Sequence, residues 1–545
     1  MLLSGKAMLR RFPALVLFIL VGGVFCAAAQ DRTSSNQTGS IRGTLMDTRT
    51  GAPLAGATIT VRGMWGSDGR SSTATAPDGT FSFRGLPPGR YRVEASKSGY
   101  VDSSRAHDGF RGGAPGAGII SLSAGQSVDD VVIRLAPAGS IAGKIVNGTE
   151  QPLTGILVSA MKASYRDGRR EFSDSHTSFT DDHGEFRITG LAPGHYYIKA
   201  TAPRGWEKGP APAQVYVPVF YPGVTDPAQT QPVDLRPGDE LNAINLTLSL
   251  QRAVHVKGRI LSANGRGAKT AEVSLTQLPS SGYTIEAETD AAGRFDIAAV
   301  PPGSYVLEAQ LSEDSDSARV FMGRATVSVA ESTVEVPDVV LFAGAKVPGH
   351  ISVDGDRKVS MGRMRASLRP LSNSYAGDVT GAVVQPDGSF EFSDVPEGSY
   401  RVQLSSTPDG FYRKPNDGAE TTVVVSHGHA APVEIRLDSG AGQIMGSIYS
   451  DGENQHPAPG AAVILIPDAS RRSNSEDFRF TTADRSGKFV LKSVPPGEYL
   501  ILAAEEIERD SYMNPEFIES YEDAGKTVRV EEGASLNVDL QTTPQ

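Results

Sequence analysis

One short phrase, an alternating hydrophobic stretch with a proline–glycine corner in its middle, occurs five times along the 545-residue chain. The copies read DGTFSFRGLPPGRYRVEA (78–95), DHGEFRITGLAPGHYYIKA (182–200), AAGRFDIAAVPPGSYVLEA (291–309), DGSFEFSDVPEGSYRVQL (387–404) and RSGKFVLKSVPPGEYLILAA (485–504). The corner glycines Gly89, Gly194, Gly303, Gly398 and Gly497 are 105, 109, 95 and 99 residues apart. Since this period is that of a small domain rather than of a solenoid repeat, it predicts a tandem array of five similar modules.

Each copy of the phrase predicts two strands joined by a tight corner. In the first copy, Phe81 and Phe83 alternate with polar residues, which is the period of a half-buried strand. The proline then presets φ, and Gly89 supplies the left-handed position of a turn. Tyr91 and Val93 resume the alternation as the next strand.

The flanking sequence predicts the remaining strands of each module. An opening strand of pattern I-x-G-x-[IL] stands at 41–45, 141–145 and 444–448, and a turn and second strand follow at 51–61 and 456–466. Closing strands are predicted at 131–135, 244–250, 334–341, 433–437 and 536–540. About seven short strands per module and no amphipathic helix are typical of an antiparallel β-sandwich. The predicted fold class is all-β, a tandem array of five antiparallel β-sandwich domains.

The repeats also define domain boundaries. The predicted β-sandwiches lie at 39–137, 138–251, 252–343, 344–438 and 439–545, and the second carries a loop insert at 202–240. Before them, the sequence predicts a signal peptide at 1–29 and a flexible linker at 30–38. Linkers such as 136–139 and 438–441 are too short to let modules tumble freely. We therefore expect an elongated, semi-rigid string.

The pairing of G-x-PL-x-GA-x-V with DG-x-F-x-F-x-x-LPPG-x-Y-x-V-x-A resembles the carboxypeptidase regulatory-like domain. The resemblance implies a transthyretin-like (prealbumin-like) sandwich, related to collagen-adhesin B-type repeats and to carbohydrate-binding-like folds. It covers nearly all of the chain after residue 39, although 265–275 and 356–368 lack the PL-x-GA segment. In zinc carboxypeptidases such a module accompanies a separate catalytic domain, so the resemblance carries over no catalytic residues.

The first 29 residues have the pattern of an export signal. Lys6, Arg10 and Arg11 precede an apolar run at 14–25, and an Ala-Ala-Ala site stands before Gln30. An uncleaved anchor is the alternative, and a lipid anchor at Cys26 is disfavoured because Phe25 is too bulky for a lipobox. Cleavage would remove the single cysteine, so disulfides and thiolate metal sites are not expected.

Charge and composition narrow the class of partner. Removal of the signal takes the formal net charge from −11 to −14, and no run of basic residues occurs in the chain. These features argue against nucleic acid and anionic membranes as partners. After signal cleavage we expect no membrane insertion.

The chain contains no motif that predicts catalysis, a metal site or a cofactor. None of the nine histidines begins an H-x-x-E or H-E-x-x-H pattern, and nucleophile-elbow, phosphate-loop and calcium-loop motifs are missing. Two histidine groups are weak candidates for metal binding: His427 with His429, and His183 beside Asp181 and Asp182. Both stand in turn-rich stretches, which favours ordinary exposed loop residues. An enzyme would require a pocket that gathers histidine and carboxylate side chains from different modules.

Related adhesin repeats form Lys–Asn cross-links, and Lys144 with Asn245 is the one conceivable pair in this chain. The middle-strand carboxylate that would catalyse the bond is replaced by Lys199 or Ala200. We therefore expect no cross-link.

Aromatic residues in loops that differ between copies are the candidate ligand contacts. They are Trp65 in module one and Trp206, Tyr216, Phe220 and Tyr221 in module two. Flat rings on rigid loops stack on sugars or proline-rich peptides. The alternative is that Tyr216, Phe220 and Tyr221 continue an edge strand and cover the sandwich.

Together these features predict a non-catalytic, exported binding or scaffolding protein of the bacterial envelope. Its partner would be a carbohydrate or an envelope or extracellular protein, and its location the periplasm, the outer surface or the medium. The alternative is a carbohydrate-binding accessory of a polysaccharide-degrading system, with Trp65 and Trp206 as stacking platforms.

Overall fold

The computed structural model describes residues 38–64, 70–102, 119–166, 169–203, 214–278, 284–312, 320–355, 359–371, 381–414, 421–450, 456–472, 474–484, 486–505, 507 and 510–543. Their regular structure is almost entirely β, as the two-residue alternation predicts, and the strands fall into five successive groups. Within these ranges, no helix is both long enough and apolar enough to cross a membrane. The predicted signal peptide lies outside the described residues.

Module one is a sandwich of two four-stranded sheets. Its strands are β1 (Gly39–Asp47), β2 (Thr58–Met64), β3 (Arg70–Ala74), β4 (Thr80–Leu86), β5 (Gly89–Ser96), β6 (Tyr100–Val101), β7 (Ile119–Leu122) and β8 (Ser127–Pro137). The first sheet has the order β4-β1-β8-β6 and the second the order β3-β2-β5-β7. Apolar residues of both inner faces, such as Ile41, Ile59 and Phe81, form the core between the sheets.

Module two repeats this plan and adds short strands from its insert. Its strands are β9 (Gly139–Asn147), β10 (Leu157–Arg166), β11 (Arg169–Phe179), β12 (Glu185–Leu191), β13 (Gly194–Thr201), β14 (Gln214–Tyr216), β15 (Val219–Phe220), β16 (Val233–Leu235), β17 (Glu240–Leu241), β18 (Leu246–Leu248) and β19 (Leu250–Arg252). The second sheet has the order β11-β10-β13-β15, so the insert extends its edge.

Modules three and four follow the same order of elements. Module three comprises β20 (Val254–Ser262), β21 (Glu272–Leu278), β22 (Thr284–Glu288), β23 (Arg294–Val300), β24 (Gly303–Ser312), β25 (Val320–Val329), β26 (Val334–Glu335) and β27 (Val339–Ala343). Module four comprises β28 (Ala345–Asp354), β29 (Arg365–Pro370), β30 (Gly381–Val383), β31 (Ser389–Val395), β32 (Gly398–Ser405), β33 (Tyr412–Lys414), β34 (Thr422–Ser426), β35 (His429–Ala430) and β36 (Val433–Asp438). In module three, pairing of β25 with β27 joins the two sheets into one continuous path.

Module five contains the one α-helix of the described residues. Its elements are β37 (Gly442–Tyr449), β38 (Ala462–Pro467), β39 (Arg479–Thr482), β40 (Lys488–Val494), β41 (Gly497–Ala504), α1 (Pro515–Tyr521), β42 (Lys526–Val530), β43 (Ser535–Asn537) and β44 (Leu540–Thr543). The expectation of no helix is wrong for this segment. A helix of 7 residues spans only two turns, too short for hydrophobic periodicity to reveal.

The opening and closing strands of each module pair in parallel, a feature that sequence analysis did not predict. In module one, β1 pairs with β8 in parallel and with β4 in antiparallel orientation. The same parallel pair recurs in the other four modules. Since parallel partners need a long connection, the closing strand can lie beside the opening strand only after the chain has built the intervening strands.

Each of the five modules has an apolar core of its own. The core residues lie between 41 and 135, 141 and 248, 254 and 341, 345 and 437, and 444 and 540, so each core is drawn from one repeat of the sequence. Each module thus buries its own hydrophobic surface, which a domain of about 100 residues can do.

One hydrogen bond fixes the proline–glycine corner in every module. The tyrosine two residues after the corner glycine is buried, and its hydroxyl donates to the backbone carbonyl four residues earlier at 2.6 to 2.9 Å. These tyrosines are Tyr91, Tyr196, Tyr305, Tyr400 and Tyr499. The aromatic residue of the repeated phrase therefore fills the core and ties the corner to it.

The hairpin turn before each phrase holds an aspartate whose carboxylate accepts hydrogen bonds from its own turn. In module two, Asp181 Oδ1 accepts from the backbone N–H groups of Glu185 at 2.8 Å and His183 at 2.9 Å. Such bonds favour the charged form and lower the pKa of this carboxyl below 3.8. Hydrogen bonds from their own turns lower the pKa of Asp290 and Asp484, which occupy the same turn position, and of Asp78 and Asp387, which stand two residues further along the turn.

We expect these five carboxyl groups to titrate below 3.8 in carbon-detected NMR of the folded chain. Because the folded-state pKa lies below the unfolded value, the stabilisation is present above the unfolded pKa and is lost as the pH falls through the folded pKa. Asp181→Asn keeps the accepting oxygen, so it should preserve the turn and abolish this part of the acid dependence. Titration of Asp181 at or above 3.8 would contradict the prediction.

Candidate functional site

The predicted aromatic ligand contacts of module two do not form one exposed surface. Phe220 is 1% exposed and packs against Met161, Ala163 and Tyr197. Tyr216 and Tyr221 are half-buried and pack against the core of module two. The placement of Phe220 favours the covering role over stacking on a ligand. Trp65 and Trp206 lie outside the described residues.

The histidine pairs considered from sequence are surface features. His427 lies between β34 and β35 with a φ of +52°, so it does not share a strand with His429. The ligand atoms of Asp181, Asp182 and His183 lie within 4.8 Å of one another, but all three residues are exposed at a hairpin turn. Asp181 accepts hydrogen bonds from backbone N–H groups of its own turn, so the geometry of the turn is enough to explain why these three residues lie together.

Lys144 and Asn245 are neighbours, but their contact is an ordinary hydrogen bond. The backbone N–H of Lys144 donates to Asn245 Oδ1 at 2.9 Å in an exposed position. In module five, the backbone N–H of Ser447 donates to Asp539 Oδ1 at 3.0 Å in the same place. The side chain on the closing strand therefore caps a backbone group beside the parallel pair.

The surface that differs most between modules is one face of the second sheet. We call the sheet containing β2, β10, β21, β29 or β38 the second sheet, and its side turned away from the core the outer face. In modules two and five this face is apolar and is covered by the insert after β13 or β41. In module five, Ile464 and Leu502 of the sheet pack with Tyr512 and with Ile518 of α1.

The outer face of module three is acidic. It carries Glu272, Glu286, Glu288 and Glu308, which alternate with core residues on β21, β22 and β24. Glu308 Oε1 lies 3.8 Å from Arg324 Nε. Burial of Glu308 raises the pKa of its carboxyl group. Module four instead places Arg369 opposite Arg401, which is 8% exposed. The same face thus carries opposite charge in successive modules.

The outer face of module one carries a line of arginines that sequence analysis missed. Register places Arg62 of β2 opposite both Arg70 of β3 and Arg92 of β5. We call these three residues the arginine row. Since neighbouring strands are about 4.8 Å apart, the row spans roughly 10 Å across the sheet. All three side chains are exposed.

The residues beside the arginine row present hydroxyl groups. Thr60 and Ser72 lie opposite each other on the next row, and their hydroxyls are 3.0 Å apart. Thr58 and Ser96 form the row beyond. Glu94, opposite Thr60, is the acidic residue of this face.

An open groove of about 830 Å³ separates this face from module two. Module one lines it with Thr60 of β2, Arg70 of β3 and Lys97, which follows β5. Module two contributes Lys162, Ser175, His176 and Tyr196 among its lining residues. The volume is within the range of small-molecule and oligosaccharide sites.

The charged groups of the groove lining are three basic residues, Arg70, Lys97 and Lys162, and two acidic residues, Glu94 and Asp102. Lys162 Nζ lies 4.0 Å from the centroid of the Tyr196 ring, and burial of this tyrosine raises its pKa to about 12. Desolvation lowers the pKa of His176, whose Nδ1 lies 3.0 Å from the hydroxyl of the adjacent Ser175. The described contacts of His176 include no carboxylate to orient it as a catalytic base.

A family model described as the carboxypeptidase regulatory-like domain matches residues 40–136 and 255–341. Modules one and three are carboxypeptidase regulatory-like domains. The match in module three includes β21, although this part of the sequence lacks the PL-x-GA segment. The regulatory-like domain of module one contains the arginine row, and that of module three the acidic outer face.

Proteins with related sequences include two large repeat-containing chains. Colossin-A of Dictyostelium discoideum is 22% identical over 384 residues, which are 65% of this chain and 3% of colossin-A. Serine-aspartate repeat-containing protein F of Staphylococcus epidermidis is 22% identical over 399 residues, 65% of this chain and 23% of that protein. This chain thus corresponds to only a minor part of either relative.

Among solved structures, the minor pilin GBS52 of Streptococcus agalactiae is 16% identical to this chain. The alignment covers 38% of this chain and 95% of the pilin, with a TM-score of 0.22. Neither the family match nor these two related sequences indicate a catalytic family.

Proposed function

We propose that this chain is a non-catalytic, exported binding and scaffolding protein of the bacterial envelope. The observation that carries the proposal is the repetition of one sandwich with five independent cores, whose second-sheet outer face changes from apolar to acidic to cationic between modules. A constant framework with a variable face is how an array presents several contact surfaces at fixed spacing.

The junction between modules four and five supports the spacing role. Arg413 Nη1 of module four lies 3.0 Å from Glu476 Oε2 of module five, and the two side chains are only 15% and 22% exposed. Glu476 Oε1 also accepts from the backbone N–H of Leu404 at 3.1 Å. On the surface, Lys492 pairs with Asp409 at 2.7 Å. Largely buried, bidentate contacts of this kind restrict the relative movement of neighbouring modules.

Localisation tests the proposal. When the full sequence is expressed in a Gram-negative host, we expect the chain outside the cytoplasm, and N-terminal sequencing should give Gln30 as the first residue. A full-length chain held in the membrane fraction would instead support the uncleaved anchor. Retention in the cytoplasm would contradict the proposal, as would turnover of a substrate by the purified chain.

A carbohydrate-binding accessory remains the second candidate function. The groove between modules one and two favours it, because an open site lined by hydroxyl and cationic side chains suits a sugar chain. Trp65 and Trp206 remain proposed stacking residues. Trp65→Ala and Trp206→Ala should reduce retention on a polysaccharide if stacking contributes.

A further inference from the structure

We propose that the arginine row and the adjoining groove bind an acidic polysaccharide, a chain of carboxylate-bearing sugars. This inference rests on the proposed function, and it names the class of partner for one of its surfaces. It concerns the arginine row (Arg62, Arg70 and Arg92) together with the groove lining from module two.

The arginine row is a concentration of charge that the fold leaves unbalanced. Like charges directly opposite each other on neighbouring strands destabilise a sheet. Within the described part of the chain, none of the three arginines has an ion pair. Other arginines do, for example Arg42 with Asp129 and Arg187 with Glu240. A surface that holds three guanidinium groups side by side is suited to an external anion.

The net charge of module one as a whole also favours an anionic partner. Residues 39–137 contain eleven Lys and Arg and eight Asp and Glu, a formal net charge of +3 in a chain of −11. Residues 252–343 contain eight Lys and Arg and twelve Asp and Glu, a net charge of −4. A polyanion is therefore attracted to module one and repelled by module three.

The neighbouring groups favour an acidic sugar chain over other polyanions. A guanidinium binds a carboxylate through two parallel hydrogen bonds, and the exposed hydroxyls of Thr58, Ser72 and Ser96 near the row match sugar hydroxyls. Single-stranded nucleic acid is also held by exposed rings on which its bases stack. Of the two tyrosines that line the groove, Tyr196 is 1% exposed and is covered by Lys162, and Tyr100 is half-buried with its hydroxyl donating to Asp47 at 3.1 Å.

Two acidic residues, Glu94 and Asp102, also line the groove. They are outnumbered by Arg70, Lys97 and Lys162 within the groove, and the rest of the arginine row adds to this excess. On the module-one side, Arg70 and Lys97 balance Glu94 and Asp102 within the lining. The positive excess on this side comes from Arg62 and Arg92, which lie beyond the lining on the arginine row. We expect the carboxylates of the polysaccharide to follow the arginines rather than the Glu94 row.

The test is binding of polygalacturonate to the mature chain by isothermal titration calorimetry. We expect binding at about 50 mM salt that weakens at least tenfold at about 200 mM, because counterions are released. The variant Arg62→Gln/Arg70→Gln/Arg92→Gln should weaken binding at least tenfold. Neutral dextran should not compete.

The matched control is Arg42→Gln/Arg84→Gln/Arg134→Gln. It removes the same charge from exposed positions on β1, β4 and β8 of the first sheet. Affinity should stay within about twofold of the parent. Equal losses in the two triple variants would overturn the proposal, since attraction would then depend on total charge alone. Equal affinity for polyglutamate or single-stranded DNA of matched charge would also overturn it.

Hydrogen exchange provides a readout that needs no variant. Polygalacturonate should protect amides of β2, β3 and β5 and leave β21, β22 and β24 of module three unchanged. Protection confined to surfaces away from both the arginine row and the groove lining, or none at saturating polygalacturonate, would overturn the inference. If the chain is exported but binds no acidic polysaccharide, this inference fails and the proposed function stands. Cytoplasmic retention would remove the proposed function instead.

Discussion

Replacing Gly143 by alanine is expected to destabilise module two by about 3 kcal/mol, at the upper end for overpacking of a core. A Cβ atom at this position would lie 2.0 Å from the backbone carbonyl oxygen of Ile244 on the closing segment. Backbone atoms have little freedom to move aside, so the parallel pair between opening and closing strands would have to separate. Hydrogen exchange resolved by module should show faster exchange in β9, β17 and β18.

Gly148→Ala is the matched control for this prediction. Gly148 stands just beyond β9, and a Cβ there would meet no atom within 4 Å. Its stability should change by less than about 0.5 kcal/mol. Wild-type exchange in the Gly143→Ala variant would show that the closing strand is not held as closely as the structure describes.

Truncation of the corner tyrosine is the second large effect that we expect. Tyr305 is fully buried, and its hydroxyl donates to the Pro301 carbonyl at 2.8 Å. Tyr305→Phe removes the donor and leaves that carbonyl without its partner, at a cost of about 1–3 kcal/mol. Tyr305→Ala also empties the core position, and we expect a loss of about 3–5 kcal/mol in module three.

The two substitutions separate the hydrogen bond from the packing. Chemical denaturation followed by module-resolved hydrogen exchange measures both, since a chain of several domains does not unfold in one step. Tyr449→Phe serves as the control, because the described contacts of this half-buried tyrosine include no hydrogen bond from its hydroxyl. If Tyr305→Phe were as stable as the parent, the corner would depend on packing alone.

The glycine of the opening strand shows where pattern reading stops. I-x-G-x-[IL] predicts a strand from its alternation, but a glycine weakens a strand and has no reason to recur there. The structure supplies the reason. In modules one, two and five, the closing segment passes so close that a Cβ would lie 1.8 to 2.0 Å from its carbonyl oxygen. The neighbour responsible is about 90 to 100 residues away in sequence.

The charged outer faces illustrate the same limit at the candidate site. Arg62, Arg70 and Arg92 are separated by 8 and 22 residues, so no basic run appears in the sequence. Strand register places them on one line. Phe220 illustrates the opposite limit, because an alternating loop segment can cover a core as well as bind a ligand, and its 1% exposure favours the covering role.

Alternation, proline–glycine corners and their period were enough to determine the module number and the all-β class, because these depend on local backbone preferences and on burial of one strand face. Strand partners decided everything else: the parallel opening and closing strands, the cover over modules two and five, and the arginine row. Strand pairing depends on register between residues far apart in the chain. Local sequence does not encode which side chains then share a face.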